Sequence, residues 1–484
     1  MSREETRLEA MGRVFAETFA RWLPDSFVFV LVLTIIAAIL SAVVVHATFL
    51  DILVDWYSGF WSPGFLAFTV QMCLIVVTAY AVGLAPPAQR FFEWLSEKAG
   101  TPRRVYLLVG IVSLVLCYIS WSLLLLAALF GYMTARRVKN TDYRVVAAMV
   151  YSCSLIWHGG LSGSAPLMMN TKTFVEGLKA MGIEAELIPP SQTLFSTLNI
   201  VSIIGMAIII LVLVPMLAPK VVPPEWDLAR VIEELQKKAQ EASSGAGGSQ
   251  ASGAEEERKE KEAKPTPAEI MDRAWILNLV ICALGFPYII WHFYKYGLAG
   301  LNLNSVIFLL LLVGLALHKT PISYARAIRE STYAVANILM QFPFYAGIAG
   351  IFAGKGVTGH PVLAIAIAKW FASFATPANW TFIAYLCALI LDFFITSGGG
   401  EWMVLAPIYI PASKMIGVPV ARVLMAYAYA DSVCNLWQPF WAVVISAPMT
   451  REIKLRARDF MGYTAIIGFV SFVWFGLTSS FLPI

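Results

Sequence analysis

Long apolar runs, interrupted at matched places in two halves, organise this chain. Phe27–Val45 and Ile200–Leu217 are predominantly apolar stretches, close to the roughly 20 residues a helix needs to cross a hydrocarbon core. Val105–Thr134 and Trp380–Pro411 are longer, about 30 residues each, too long for one ordinary span and too short for two. Both contain polar breaks, and each is followed by another. In the first half Cys117–Ser122 (CYISWS) is followed by Trp157–Ser164 (WHGGLSGS). In the second, Thr396–Trp402 (TSGGGEW) is followed by Asp431–Pro439 (DSVCNLWQP). Trp121 and Trp157 are 36 positions apart, and Trp402 and Trp437 are 35 apart. Irregular backbone is tolerated at membrane depth only where protein buries it or it lines a cavity. The pattern predicts an all-α polytopic membrane protein with two re-entrant hairpins, their tips at Ile119–Ser122 and Ser397–Gly400, and two broken helices.

One segment does not belong to the membrane. From Pro219 to about Pro267 the chain turns polar: Leu228–Glu241 has helical apolar spacing, Ser243–Gly253 is rich in Ser and Gly, and Glu255–Lys264 is a charge run. This reads as a cytoplasmic surface helix and flexible linker over 219–270, dividing membrane halves 1–218 and 271–484. Positive residues set the orientation. Arg13 and Arg21, Arg90 to Arg104, and Arg136 to Arg144 share the cytoplasmic side only if the stretch between the last two groups enters and leaves on that side. That requires a hairpin over about 105–135. The second half repeats the order with its hairpin, over about 379–416, opening outside. The result is an inverted repeat of about nine spans, although Lys355, Lys369, Lys414 and Arg422 fall on the outer side. Met1–Asp25, with four glutamates among its arginines, reads as an amphipathic helix rather than a signal peptide.

Composition narrows the function. The 484 residues are 59% hydrophobic and 14% charged, with a mean hydropathy of +0.72, against about 25% charged in soluble domains. A net charge of +4 is too small and too dispersed for nucleic acid. The six cysteines form no CxxC pair and the five histidines have no paired spacing, which argues against a disulfide framework or a transition-metal site. No nucleophile elbow or HExxH-type spacing is present, so an enzyme is disfavoured.

Corresponding interruptions in two halves point to the binding site of a secondary transporter. A helix N-terminus at a break holds a carboxylate without any arginine, and free carbonyls at the opposing end suit a cation. The candidate substrate residues are Ser120, Trp121, Ser122, His158, Gly159, Gly160, Ser162, Ser164, Ser397, Gly398, Gly399, Gly400 and Gln438. Glycines in spans commonly mark close packing, the preferred reading for Gly159, Gly160 and Gly163. Three in succession cost about 1 kcal/mol each in a helix, which favours a functional reading of Gly398–Gly400. Ionisable groups at depth are functional candidates. Asp431, with Asn435 and Glu401, is the candidate for ion coupling, as a proton carrier or sodium ligand. Asp392 lies in the hairpin's first arm, deep against protein. Gln71 and Gln341 either orient a ligand or bridge helices.

These residues carry a likeness. Gln341–Gly347 (QFPFYAG), Ser397–Gly400 (SGGG), Gln438–Trp441 (QPFW), Leu317–Pro321 (LHKTP), Arg21–Asp25 (RWLPD) and Leu161–Ser164 (LSGS) resemble the bacterial short-chain fatty acid transporter family of the AtoE type, nearly end to end apart from the linker. The resemblance implies uptake of small monocarboxylates such as butyrate or acetoacetate across a bacterial inner membrane. It also implies membership of the ion-transporter superfamily, with two re-entrant hairpins, a homodimeric scaffold and elevator-like motion. Glu401 departs from the family pattern, where His often follows the glycines. The function expected is cation-coupled symport of a short-chain carboxylate. The alternatives are a dicarboxylate or amino-acid-derivative carrier on the same scaffold, or an anion channel.

Overall fold

The structure, a computed structural model, describes residues 26–243, 266–332, 335–393, 397–438, 441–442, 445–446 and 449–484. The amphipathic reading of Met1–Asp25, most of the Ser/Gly and charged linker, Thr396 and Pro439–Phe440 lie outside them. The regular secondary structure of the described residues is all helical, save one isolated bridge between Asp142 and Asp227.

Ten α-helices build the first half: α1 (Ser26–Val44), α2 (Phe49–Phe60), α3 (Pro63–Leu84), α4 (Pro86–Ser96), α5 (Pro102–Ile119), α6 (Leu124–Ala135), α7 (Tyr143–Cys153), α8 (Ser164–Met169), α9 (Lys172–Ala180) and α10 (Thr197–Met216). Their starts are written locally. Pro opens α3, α4 and α5, where its missing N–H is no loss. Thr101, Asp142 and Ser196 cap α5, α7 and α10 by accepting backbone N–H groups. The surface helix α11 (Leu228–Ser243) follows. The second half contains α12 (Pro267–Asp272), α13 (Trp275–Tyr296), α14 (Leu303–His318), α15 (Pro321–Thr332), α16 (Ala336–Ala353), α17 (Leu363–Ala372), α18 (Trp380–Asp392), α19 (Gly398–Ile416), α20 (Val420–Asn435) and α21 (Ala457–Phe481).

Six helical stretches among the described residues are long and apolar enough to cross a membrane, and six shorter ones are apolar. Exposure separates a periphery from a core. Ile35, Ile39, Ile204, Ile208 and Leu284 are each at least half exposed, an outer apolar surface suited to lipid. In contrast every residue of α7 is buried, as is α20 from Val423 to Asn435. A helix buried all round is a core helix, and these two carry the candidate site. α18 and α20 pack together, while α2 lies against α16 through a backbone contact at Gly59 and Gly350. A Cβ on Gly59 would sit 2.7 Å from Gly350 Cα.

Two polar clusters pin connections to this frame. At the start of α7, the buried Arg144 guanidinium donates to Asp142 Oδ1 and Oδ2 at 3.1 and 2.7 Å and lies over the Trp226 ring. Asn140 N–H donates to Asp227 at 2.8 Å, and Lys139 pairs with Glu233 on α11. The chain leading to α11 is therefore docked on the first half. On α2, Asp51 accepts from the Val357 and Thr358 amides at 2.7 and 2.9 Å. Asp55 accepts from Gly356 N–H at 2.9 Å and meets His360 Nε2 at 3.0 Å. This loop joins α16 to α17. The Thr48 hydroxyl, then the Thr358 amide, hold the Asp51 carboxyl well below the usual carboxylate range, whereas burial pushes Asp55 up.

Candidate functional site

Both long apolar runs are helix–break–helix units. In the first, α5 ends at Ile119, Ser120 is extended, and Trp121–Leu123 form a single 3₁₀ turn before α6. In the second, α18 ends at Asp392 and α19 begins at Gly398. The glycines therefore form the first turn of a helix, rather than the interruption expected of them. The reason is local: Ser397 is the N-cap, accepting Gly400 N–H at 3.3 Å, and a capping serine starts a helix even ahead of weak formers.

The following helices break where the polar strings stand. α7 passes into a 3₁₀ stretch, Ser154–Gly159, before α8, and α20 stops at Asn435. The two first-half breaks are stitched together. Leu161 N–H donates to Tyr118 O at 2.7 Å, and Trp121 N–H donates to Ser162 Oγ at 3.0 Å. Ser120 and Ser122 hydroxyls lie 3.0 Å apart. Gly160 packs against the Tyr118 carbonyl, Gly163 against the His158 carbonyl, and Gly159 against Asn199 Oδ1. These glycines serve close backbone approach. Asn199 holds the break from outside, donating to Gly159 O and Leu194 O at 2.8 and 2.7 Å and accepting from Tyr429 OH at 2.9 Å.

The halves meet at His158 and Asp431, both fully buried. His158 Nδ1 lies 2.9 Å from Asp431 Oδ2. Ala165 N–H donates to His158 Nε2 at 3.2 Å, with Ser164 Oγ at 3.3 Å. A backbone N–H can only donate, so Nε2 carries the lone pair and Nδ1 carries the proton that Asp431 accepts. Trp157 stacks on His158 with ring centroids 4.2 Å apart, and Trp121 meets both Trp157 and Trp441 edge-on. The first turn of α19 closes over this pair. A Cβ on Gly398 would lie 2.6 Å from His158 Cε1, 2.9 Å from Trp157 and 3.1 Å from Asp431 Oδ1. Gly399 faces Phe68 and Gly400 faces Tyr345, so those two pack against aromatic walls away from the His158–Asp431 contact. Tyr427 OH donates to Gly398 O.

Asp431 does not stand alone. One carboxylate oxygen from each of Asp392, Glu401 and Asp431 lies within 4.8 Å of the others, and all three residues are fully buried. Gln438 Nε2 donates to Asp392 Oδ2 at 3.1 Å and to Asn435 Oδ1 at 3.0 Å, and Asn435 Nδ2 donates to Asp431 O at 2.8 Å. Among the described residues, neither Glu401 oxygen has a hydrogen-bond partner, nor do Asp392 Oδ1 and Asp431 Oδ1. No Lys or Arg there pairs with the three. Two unit charges 4 Å apart repel by about 4 kcal/mol at an effective dielectric of 20, so the set does not carry three negative charges unaccompanied. It is built to hold compensating positive charge.

The structure thus gathers His158, Ser164, Gly398, Asp431, Glu401, Asn435 and Gln438, and joins Ser120, Trp121, Ser122 and Ser162 to them through Trp157. Gln71 stands elsewhere, donating to Asn304 at 2.7 Å as a bridge between α3 and α14, while Gln341 accepts from Tyr345 OH at 3.4 Å. Asp392 enters the centre of the site, although its position in an arm had suggested only depth. Tyr427 and Asn199 join unheralded. Tyr427 was readable: Tyr427, Asp431 and Asn435 recur every four residues and share one helix face. Nothing local marks Asn199.

Comparison with known proteins places this arrangement. The profile of the short chain fatty acid transporter family matches residues 7–481. An Escherichia coli (strain K12) protein named for short-chain fatty acid transport is 31% identical over 455 residues, covering 94% of this chain and 95% of its own. A Haemophilus influenzae protein of the same name is 31% identical over 459 residues, covering 94% and 96%. Two solved structures share the fold at low identity. They are the Alcanivorax borkumensis YdaH transporter (12% identity, TM-score 0.54, 94% of this chain and 98% of that one) and Neisseria gonorrhoeae MtrF, described as illuminating a class of antimetabolite efflux pumps (16%, 0.54, 97% of each). With buried polar breaks converging from both halves of an all-helical membrane fold, the chain is a transporter rather than an enzyme, and it belongs to the short chain fatty acid transporter family.

Proposed function

We propose that the protein imports short-chain monocarboxylates such as butyrate or acetoacetate by cation-coupled symport. The observation that carries this reading is the buried His158–Asp431 hydrogen bond, which ties the break of one half to the broken helix of the other. A contact shared by two halves changes when they move relative to one another, as alternating access requires. The substrate carboxylate is held by N–H and hydroxyl donors at Ser120, Ser122, Ser162, Ser164 and the Ser397–Gly400 turn, its short tail against Trp121, Trp157 and Trp402. Asp431, Glu401 and Asn435 serve the coupling ion, a proton or sodium. About nine spans with two hairpins in inverted repeats, halves at 1–218 and 271–484, a cytoplasmic N-terminus and linker, an inner-membrane location, a homodimer and elevator-like motion complete the reading.

A dicarboxylate or amino-acid derivative is the second reading. It is disfavoured because, among the described residues, no arginine or lysine pairs with the buried acids to receive another carboxylate. A channel would show flux that never saturates. The test is uptake of labelled butyrate by the purified chain in liposomes, under proton and sodium gradients imposed separately. Accumulation under one gradient is expected, and Asp431→Asn should abolish it without unfolding the protein. Accumulation at the wild-type level in Asp431→Asn would overturn the role of Asp431.

A further inference from the structure

Asp392 ends α18 and is fully buried. Its Oδ2 is occupied by Gln438 Nε2–H, and Asp431 Oδ2 is occupied by His158 Nδ1–H. Among the described residues, that leaves Asp392 Oδ1 and Asp431 Oδ1 with no N–H or O–H donor, although one oxygen of each carboxyl lies within 4.8 Å of one on the other. Two bare carboxylates repel at that range, whereas a carboxylic acid donates to a carboxylate in a short, charge-assisted bond. The direction of that bond follows from His158. Its lone pair is turned to Ala165 N–H, so its Nδ1–H donates to Asp431 Oδ2, a stronger donor than the Gln438 amide on Asp392, which favours the charge on Asp431. Asp392 is left as the donor.

We propose that Asp392 and Asp431 form a proton-sharing acid pair, and that the proton on Asp392 is the coupling charge that travels with the substrate. This rests on the symport reading above. The titratable groups facing the pair among the described residues are Glu401 from α19, Tyr427 and Cys434 from α20, Tyr345 from α16, and Tyr151 and His158 from the first half. None of these groups is permanently positive, and a shared proton lets the two carboxyls remain in contact. Loading is a plain proton transfer: the Asp392 carboxylate takes a proton from water on one side of the membrane and returns it to water on the other, with no change of oxidation state. Because the pair bridges α18 and α20, which pack together, losing that proton puts like charges across a helix–helix contact. Proton occupancy thereby becomes a difference in packing, which is what a coupling step needs.

Asp392→Asn tests this sharply, because asparagine reproduces the protonated state. Its Nδ2–H can face Asp431 Oδ1 while its carbonyl accepts from Gln438. In proteoliposomes the variant is expected to equilibrate labelled butyrate without concentrating it under a proton gradient, and concentration at the wild-type level overturns the proposal. Infrared difference spectra of the purified full chain decide the pair independently of any substrate. A protonated-carboxyl band is expected near neutral pH, reduced in Asp392→Asn and unmoved by sodium at constant pH. Absence of the band in folded wild-type protein, its persistence in the variant, or its loss on adding sodium each overturns the proposal. Should wild-type protein move no butyrate under any gradient, the functional reading falls, and the infrared result still decides the acid pair.

Discussion

Gly398→Ala is the smallest change that reaches the centre of the site. The added methyl would lie 2.6 Å from His158 Cε1, 2.9 Å from Trp157 and 3.1 Å from Asp431 Oδ1. All three neighbours are ring or carboxyl atoms held on several sides. The imidazole is stacked on Trp157 and fixed at both nitrogens, so no flexible end can swing away. Alanine in a helix gains up to about 1 kcal/mol over glycine, less at a first-turn position. Overpacking a buried site costs about 1–3 kcal/mol. If the ring yields, the hydrogen bond to Asp431 is lost as well, roughly 1.5–3 kcal/mol for a bond to a charged group. That last figure corresponds to a roughly ten- to hundredfold smaller population with His158 and Asp431 joined. Exchange of labelled butyrate across proteoliposomes, with thermal unfolding in detergent as the fold control, reads both effects. Exchange should fall by at least about tenfold with only a modest loss of stability. Gly399→Ala meets Phe68 at 2.9 Å and Phe342 at 3.6 Å, away from the His158–Asp431 contact, and should cost exchange less. Wild-type exchange in Gly398→Ala would show that this contact is not part of the transport cycle.

Three further predictions concern the frame. Asn199→Leu orphans Gly159 O, Leu194 O and Tyr429 OH together, at about 1–3 kcal/mol for each buried group left unpaired. It should lower the unfolding temperature more than Tyr429→Phe, which frees one acceptor only. Arg144→Met leaves Asp142 as a buried charge without its guanidinium, a change of about 3–5 kcal/mol, and proteolysis near Trp226 should accelerate as that connection undocks. Asp51→Asn removes the charge that the Val357 and Thr358 amides satisfy, so exchange of those two amides with deuterium should quicken at neutral pH. In the wild-type chain the Asp51 carboxyl is held below its ordinary value of 3.8. Its contribution is therefore present above that value and is lost only as pH falls further, through the depressed folded-state value. Loss of amide protection already above pH 3.8 would contradict the assignment.

Run lengths and polar breaks were legible in the sequence because the bilayer imposes them directly: helix length follows hydrocarbon thickness, and exposed backbone at depth is forbidden. The serine–glycine string signalled a boundary but misplaced the break, since capping by Ser397 outweighs the weak helix preference of Gly398–Gly400. The partners of each polar group were not legible. His158 and Asp431 are 273 positions apart, and no local rule pairs them. Asp392 had the look of a carboxyl merely buried in an arm, because its importance comes from what α20 places opposite it. Asn199 sits in the first turn of an ordinary apolar helix, and only the fold reveals that it braces Gly159.

The charge content of the site leads to one last expectation, which bears on how any anion is held there. Transporters that fix a carboxylate with arginine carry their positive charge permanently, and their affinity tolerates alkali. Here three buried acids surround the candidate site and, among the described residues, no arginine or lysine pairs with them. An incoming carboxylate meets repulsion unless the acids are protonated, and attraction otherwise comes only from N–H and O–H dipoles. Substrate binding must then take up protons. By linkage, affinity for butyrate rises as pH falls, by up to about tenfold per pH unit for one proton bound together with the substrate. Quenching of tryptophan fluorescence, with Trp121 and Trp157 beside the site, offers a direct reading in detergent. Titrations between mildly acid and mildly alkaline pH, where butyrate itself stays ionised, should show this slope in the wild type and a shallower one in Asp392→Asn, in which the proton is replaced by a fixed amide. Affinity independent of pH in the wild type, or tightening toward alkali, would mean that the substrate is held by a charge other than these protons.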